Sequence, residues 1–515
     1  TATDPAGNTT GYEYDSQNRC TRIVDGYGTT IEATTYNYAG KPVTVADALG
    51  NITYTSYDTE GQVIGMTQTS GEEEQAASYT YDQLGRLTRT IDSMGNPVGI
   101  TYDALGNITG VTDAKGGTTT YEYDTSGNLT AETSPVHAVS RYTYNAQNLL
   151  EEAENAAGET TRYTYDALGR ITEMTDGLGT IRYTYDRNSN VLTVEENGAT
   201  IVRTYDALNR VTSYTDYAGR TIRYAYDEVG NLISLTYPGG AIIRYEYNPD
   251  GSLEAAIDGS GNRTEYTYNK NSQLSTIKRP DGSVEACLYN KAGRLTGQQD
   301  IAENGDIIQN LSYGYDGYGN ITQTGGTILP DPGQTGQALE NRTMEYDEAN
   351  RLIRYNGKTV RYDKKGNMTY GPLDGRMTTF RYDCRNRLIQ AGGTTYTYDA
   401  ENVRITSTTD GITTEYLTDS RAELSQVLEE YQNGEVTATY VYGNGKLIYD
   451  RTGEGERYYH YDNLGSTRAI TDRQGNILSQ YAYGVYGEIL GGDTALTGYL
   501  YNGAYGVHTD NNGLY

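Results

Sequence analysis

The three histidines are the first candidates for catalytic chemistry, since His is the commonest general base in enzymes. They are His137, His460 and His508, and each would need a nucleophile or a carboxylate beside it. The sequence contains neither Gly-x-Ser-x-Gly nor His-Glu-x-x-His. We therefore expect His460 to pack within its own motif and His137 and His508 to lie in loops, and no catalytic residue is assigned.

The cysteines give no metal or redox motif. Cys20, Cys287 and Cys384 are far apart in the chain, with no Cys-x-x-Cys pair and no zinc-ligand spacing. We predict that all three are free thiols without a functional role.

Aspartates recur at one position of a short motif, Asp-x-x-Gly. A pair of them could serve as glycosidase acid and base, and their oxygens could bind calcium. However, Asp at the start of a turn accepts hydrogen bonds from the backbone beyond it, which explains the recurrence without catalysis. We therefore predict no catalytic carboxylate pair, no metal site and no cofactor.

Nine Asn-x-Ser/Thr triplets occur, among them those at Asn51, Asn107, Asn128, Asn320 and Asn367. They are glycan acceptors only in a glycosylating secretory pathway, and Gly-Asn-Leu/Ile-Thr is also a turn followed by a strand. The tyrosines could stack on sugars, but their regular spacing favours packing within a sheet.

Composition excludes several classes of protein. The 515 residues carry 40 Lys+Arg and 68 Asp+Glu, a net charge of −28, which argues against binding to nucleic acid. No apolar run is long enough for a membrane span. The first residues show neither Met nor a signal peptide, so we expect an internal fragment. Apolar residues make up 36%, with 54 Tyr, one Phe and no Trp, which makes a thick core difficult to build.

An internal repeat determines the predicted fold. A Tyr-Asp or Tyr-Asn marker recurs at steps of 20 or 21 residues, at Tyr81, Tyr102, Tyr123, Tyr144, Tyr165, Tyr185, Tyr205, Tyr226, Tyr247, Tyr268 and Tyr289. Looser copies lie at Tyr14, Tyr36, Tyr57, Tyr315, Tyr346, Tyr362, Tyr382 and Tyr398.

Each unit predicts one β-hairpin. In the unit around Tyr123, Tyr-x-Tyr alternates as a strand does, and Asp124 and Gly127 match a three-residue loop with a left-handed glycine. We expect Tyr123 to face Leu129 and Tyr121 to face Ala131 across the hairpin. One face of the sheet is then rich in Tyr, Leu and Ile, and the other in Thr and charged residues.

The number of units predicts a wound sheet. The markers imply about 40 strands, and at ~4.8 Å per strand an open sheet would extend ~190 Å. Twisted sheets of that size curl or close, so we predict an all-β array that spirals into a large hollow shell.

The regularity divides the chain into three predicted regions: a regular array at 1–290, irregular repeats at 291–414 and a different C-terminal region at 415–515. The segment from Thr322 to Asn341 is expected to be a loop insertion. The segment from Gln426 to Tyr442 predicts a strand, an Asn433-Gly434 turn and a second strand, with a short helix over Leu424 to Tyr431 as the alternative.

The repeat resembles the YD (Rhs) repeat. The segments 458–468 (YYHYDNLGSTR), 481–487 (YAYGVYG) and 513–515 (GLY) are similar to the Rhs-associated core. The resemblance covers essentially the whole chain. It implies a β-hairpin ribbon wound into a hollow shell, as in bacterial polymorphic toxins, the cocoon of ABC toxins and the teneurin barrel. Toxin members also carry a self-cleaving aspartyl-protease-like site, which would lie beyond Tyr515.

These observations predict a non-enzymatic shell of a secreted or surface-exposed Rhs/YD toxin, which encloses a C-terminal toxin domain beyond this chain. The expected partner is that cargo, and the expected location is extracellular. The alternative is a cell-surface protein for adhesion or carbohydrate binding, with cell-surface glycans or proteins as partners.

Overall fold

The computed structural model describes residues 1–327, 342–373, 375–421, 424–484, 487–510 and 512–514. Within these ranges, nearly all regular structure is β, and one short 3-10 helix spans Gly503–Tyr505. Within each sheet, every strand pairs antiparallel with its neighbours in the sequence.

The first sheet has 31 strands. They are β1 (Ala2–Thr3), β2 (Thr9–Tyr14), β3 (Cys20–Val24), β4 (Thr30–Tyr36), β5 (Pro42–Asp47), β6 (Ile52–Tyr57), β7 (Val63–Ser70), β8 (Glu73–Tyr81), β9 (Leu87–Ile91), β10 (Pro97–Tyr102), β11 (Ile108–Thr112), β12 (Thr118–Tyr123), β13 (Leu129–Thr133), β14 (Val139–Tyr144), β15 (Leu150–Glu154), β16 (Thr160–Tyr165), β17 (Ile171–Asp176), β18 (Gly179–Tyr185), β19 (Val191–Glu196), β20 (Ala199–Tyr205), β21 (Val211–Thr215), β22 (Thr221–Tyr226), β23 (Leu232–Thr236), β24 (Ile242–Tyr247), β25 (Leu253–Ile257), β26 (Arg263–Tyr268), β27 (Leu274–Lys278), β28 (Val284–Tyr289), β29 (Leu295–Ile301), β30 (Ile307–Tyr315) and β31 (Ile321–Thr327).

Three further sheets follow, of 3, 13 and 2 strands. Their strands are β32 (Met344–Tyr346), β33 (Leu352–Tyr355) and β34 (Lys358–Thr359); then β35 (Arg361–Tyr362), β36 (Met368–Leu373), β37 (Arg376–Tyr382), β38 (Leu388–Ala391), β39 (Thr394–Tyr398), β40 (Arg404–Thr409), β41 (Ile412–Asp419), β42 (Gln426–Gln432), β43 (Glu435–Gly443), β44 (Lys446–Thr452), β45 (Gly455–Tyr461), β46 (Thr467–Thr471) and β47 (Ile477–Gln480); then β48 (Ala482–Tyr483) and β49 (Ile489–Gly491).

The Asp-x-x-Gly turn has the predicted geometry. Gly127 adopts φ 85°, and its N–H donates to the Asp124 carbonyl at 3.1 Å. The Asp124 carboxylate accepts hydrogen bonds from the backbone N–H groups of Ser126 and Asn128 and from the Asn128 side chain. The bond from the Asn128 side chain is the largest reason that the pKa of Asp124 lies below its usual value.

The predicted register is half correct. Tyr123 pairs with Leu129, but a β-bulge follows, so that Glu122 pairs with Ala131 and Tyr121 with Glu132. The expectation that Tyr121 faces Ala131 is therefore wrong. The reason is that the bulge inserts one extra residue into the returning strand.

Adjacent units are connected through the marker tyrosine. The hydroxyl of Tyr123 donates to the Ile108 carbonyl at 2.9 Å, and that of Tyr144 donates to the Leu129 carbonyl at 2.8 Å. The same bond joins many other units, through Tyr102, Tyr165, Tyr185, Tyr205, Tyr226, Tyr247, Tyr268 and Tyr289. Each tyrosine thus fixes its hairpin to the preceding one.

Two further expectations fall in the irregular part of the chain. Residues expected in a loop from Thr322 onward instead continue β31 to Thr327, paired with β30, because the backbone there still completes the ladder. The rest of that predicted insertion lies outside the described residues. The strand prediction at Gln426–Gln432 is confirmed, and the alternative helix over 424–431 is wrong because this strand pairs with β41 and β43.

The strip of hairpins is wound so that its two long edges meet. We call the turns after the markers the Tyr-Asp edge, the turns between units the opposite edge, and their line of contact the seam. Across the seam, Asn271 Nδ2 donates to Asp25 Oδ2 at 2.8 Å, and Arg385 Nε donates to Asp176 Oδ2 at 2.5 Å. These partners are 246 and 209 residues apart, and Asn51 meets Gly317 at a separation of 266, so the length of one winding varies along the strip.

Much of the surface of the wound strip is exposed to solvent. Its accessible surface is 27080 Å², whereas a compact monomer of this mass would expose ~18,600 Å². Among residues 1–180 no apolar side chain is fully buried, and the main core begins at Ile181, where a later winding covers the Tyr face. The described residues contain no helix long and apolar enough to cross a membrane.

The seam generates a stability prediction. A Cβ atom on Gly26 would lie 2.6 Å from the Lys270 carbonyl oxygen of the next winding. We expect Gly26→Ala to destabilise the protein by ~1–3 kcal/mol, because rigid backbone must move apart. The control is Gly239→Ala, since that glycine has an ordinary φ and open space around it. Equal melting temperatures for the two variants would contradict the seam contact.

Candidate functional site

A buried row of polar side chains joins two windings at His460. His460 in β45 lies 2.8 Å from Asp300 in β29, measured from Nδ1 to Oδ2. Its Nε2 lies 3.0 Å from Thr471 Oγ1, and the Thr471 hydroxyl donates to Asp281 Oδ2 at 2.7 Å. All four side chains are buried.

Further buried groups surround this row. Arg279 pairs with Glu285 at 2.5 Å. The side-chain amides of Gln298 and Gln309 both donate to the backbone carbonyl of Tyr461, at 2.6 and 2.8 Å. Residues of β29 and β30 thereby hold β45 through side-chain hydrogen bonds to a carbonyl at its β-bulge between His460 and Tyr461, where the ladder is interrupted.

The row holds one shared proton. The row contains three hydrogen bonds, Asp300–His460, His460–Thr471 and Thr471–Asp281, and each needs one hydrogen. The Thr471 hydroxyl and a neutral imidazole supply two of these hydrogens. Burial raises the pKa of Asp300 to about 7, and burial followed by the nearby Arg279 lowers the pKa of His460 to about 3. The Asp300–His460 pair therefore carries the third hydrogen between these two pH values.

The order Asp300–His460–Thr471 is that of a nucleophile relay, but its surroundings do not allow catalysis. The hydroxyl proton of Thr471 is directed at Asp281 rather than at the imidazole, and none of the side chains reaches solvent. The cavities of about 600 to 700 Å³ lie elsewhere, along the seam. The arrangement acts as a structural lock between windings.

The histidine predictions are mostly confirmed. His460 packs within its motif, as expected, and His137 occupies a left-handed turn position with φ 62°. His508 lies outside regular structure, but it is not simply a loop residue: its ring packs against Tyr416 and Tyr499.

Other sequence candidates have structural roles. The turn aspartates accept backbone hydrogen bonds, and Asn51 donates to Asp47 and to the Gly317 carbonyl across the seam. Cys20, Cys287 and Cys384 are free, as predicted. In the part of the chain that the structure describes, no three His, Cys, Asp or Glu side chains are arranged to hold a metal ion.

The residues that sequence reasoning missed are Arg279, Asp281 and Asp300. Asp300 and Asp281 lie 160 and 190 residues from their partners His460 and Thr471, so no local motif contains these pairs. One signal was present: Arg279 stands at the first turn position, where most other turns have Asp or Asn.

The proton balance of the row gives a pH prediction. In His460→Leu, the pKa of Asp300 in the folded protein remains raised by burial. The contribution of Asp300 to the free energy of unfolding is therefore present at acid pH and is lost as the pH rises toward 7. The free energy of unfolding should fall by ~2 kcal/mol between pH 5 and 7. In the wild type the lowered pKa of His460 has the opposite effect, so the contribution of the pair stays nearly constant, and the ~2 kcal/mol is the fall of the variant relative to the wild type.

Urea unfolding at pH 5, 6 and 7 measures this difference, with Thr471→Val as the control that keeps the Asp300–His460 pair. Parallel pH profiles for His460→Leu and the wild type would contradict the shared proton.

The comparisons with known proteins agree with this geometry. The family model for the Teneurin YD-shell matches residues 140–296 and 285–503, and that for the RHS repeat matches residues 1–30, 57–97 and 102–139. The tRNA3(Ser)-specific nuclease WapA of Bacillus spizizenii is 28% identical over 195 residues, which is 37% of this chain and 8% of that protein.

Solved structures share the fold. A crystal structure of TcdB2-TccC3-TEV matches 98% of this chain with a TM-score of 0.62 and 15% identity, and 34% of that chain is covered. The Photorhabdus luminescens Tc holotoxin pore matches 99% of this chain with a TM-score of 0.52 and 15% identity, covering 31% of its chain.

The chain thus spans about a third of these structures and less than a tenth of the curated relative. The two matches of the family model together extend from residue 140 to residue 503, which is more than half of the chain. The chain belongs to the Teneurin YD-shell family.

Proposed function

We propose that this chain is part of the wall of a hollow β-shell that encloses a C-terminal toxin domain. The observation that carries the proposal is the thin, wound strip, which exposes far more surface than a compact protein of its mass. Such a wall separates a polypeptide on one side from proteases and partners on the other, so its mechanism is steric and needs no catalytic residue.

The position of the last described residues supports an inward Tyr face. Tyr499, Leu500 and Ala504 belong to the same buried cluster as Tyr440 and Tyr449 of β43 and β44. Leu514 itself packs against a second buried cluster, that of Phe380, Ala391 and Tyr396, so a polypeptide that continues from it starts beside covered side chains. We infer that the Tyr face is the enclosed one and that the cargo lies against it.

The remaining features follow as proposals of the same kind. The toxin-related names among the relatives support a toxin as cargo and an extracellular location. The regions 1–290, 291–414 and 415–515 remain a proposed division of the chain. Adhesion or carbohydrate binding is the competing function.

Enclosure predicts protection of an attached polypeptide. We expect a flexible Gly/Ser-rich reporter fused after Tyr515 to be digested by proteinase K at least ~10-fold more slowly than the same reporter fused before Thr1, because folding excludes proteases sterically. Gel analysis of time points measures both rates. Equal rates would reject enclosure by this chain, and retention of the protein on immobilised glycans would then favour adhesion.

A further inference from the structure

The residue paired with the marker tyrosine shows a departure from the repeat. In the described hairpins this position is apolar almost throughout, as with Leu129 opposite Tyr123 and Leu232 opposite Tyr226. Apart from Cys20, the exceptions are Arg404 opposite Tyr398 and Thr467 opposite Tyr461. A charged or hydroxylic residue on an apolar strand position needs a polar partner.

Both exceptions bind the same returning segment, residues 497–510 and 512–514, which we call the tail. The backbone N–H of Thr467 donates to the Leu500 carbonyl at 2.9 Å, and its hydroxyl donates to the Tyr499 carbonyl at 2.6 Å. Arg404 Nη1 donates to both carboxylate oxygens of Asp510, at 2.9 and 3.2 Å. The two departures from the repeat therefore lie where the tail crosses the strip.

Contacts within the strip also hold the Arg404 side chain in place. Its guanidinium lies over the rings of Tyr396 and Tyr416, 5.4 and 5.2 Å from their centroids. The Asp510 side chain is only 5% exposed. Burial opposes its ionisation, yet hydrogen bonding to His508 and the charge of Arg404 keep the pKa of Asp510 below its usual value.

The tail also fits the strip by shape. The His508 ring packs edge-on against the ring of Tyr416 in β41, with the two centroids 5.9 Å apart. Asn512 Nδ2 donates to the Ala391 carbonyl at 3.2 Å, and Leu514 packs against the cluster of Phe380, Ala391 and Tyr396. These contacts order the tail up to its last described residue.

We propose that Arg404 and Thr467 form a docking site for the tail, which fixes the place where a continuing polypeptide starts on the Tyr face of the wall. That this face is enclosed rests on the proposed function, but the docking itself does not. Arg404 and Thr467 are positioning residues: they set the path of the chain and take no part in a reaction.

Hydrogen–deuterium exchange on the full chain tests the docking site. Arg404→Leu restores the residue type of the repeat, so the strip should stay folded while the tail loses its ionic partner. We expect the amides of Thr509 and Asp510 to exchange at least ~10-fold faster, with exchange in β39–β41 unchanged. Asp510→Asn and Thr467→Val should have the same local effect, each at its own contact.

Arg381→Leu is the matched control, because this exposed arginine lies in β37 away from the tail contacts. An unchanged exchange rate in the tail of Arg404→Leu, or an equal rise of the exchange rate throughout β35–β47, would overturn the proposal. Fast exchange in the tail of Arg404→Leu, together with equal digestion of the two reporters, would support the docking site and reject enclosure.

Discussion

The hydrogen-bonded Asp-x-x-Gly turn is the interaction on which the rest of the structure depends. One carboxylate satisfies two backbone N–H groups and the side chain that ends the turn, as Asp124 does with Ser126 and Asn128. Because this turn recurs at nearly constant steps, most hairpins of the array have nearly the same width, with strands of 5 or 6 residues. A strip of constant width has two straight edges, and only such edges can meet along a continuous seam.

A strip of this kind cannot build its own core, since a single sheet leaves both faces to solvent. Burial becomes extensive only where another part of the chain covers the Tyr face, from Ile181 onward. Along the seam and at the buried row around His460, by contrast, the contacts are polar, as in the pairs Arg385–Asp176 and His460–Asp300. Winding therefore stabilises the strip in two ways, through the apolar cluster on the covered Tyr face and through ion pairs and hydrogen bonds elsewhere.

The sequence was sufficient for the hairpins, the left-handed glycine at Gly127 and the pairing of Tyr123 with Leu129, since these depend on neighbouring residues. It was insufficient for the bulge before Tyr123, which depends on how the strand twists. The partners of His460 could not be predicted, because they come from another winding. Arg404 was predictable in principle, as a charge at an otherwise apolar position of the repeat.

Small-angle X-ray scattering measures most directly whether the chain forms a thin wall around solvent. A compact protein of 515 residues has a radius of gyration of ~24 Å. The wound strip predicts a clearly larger radius and a pair-distance distribution whose maximum is shifted to long distances, as for a hollow body. A radius near the compact value, with a profile that fits a solid sphere, would contradict the account.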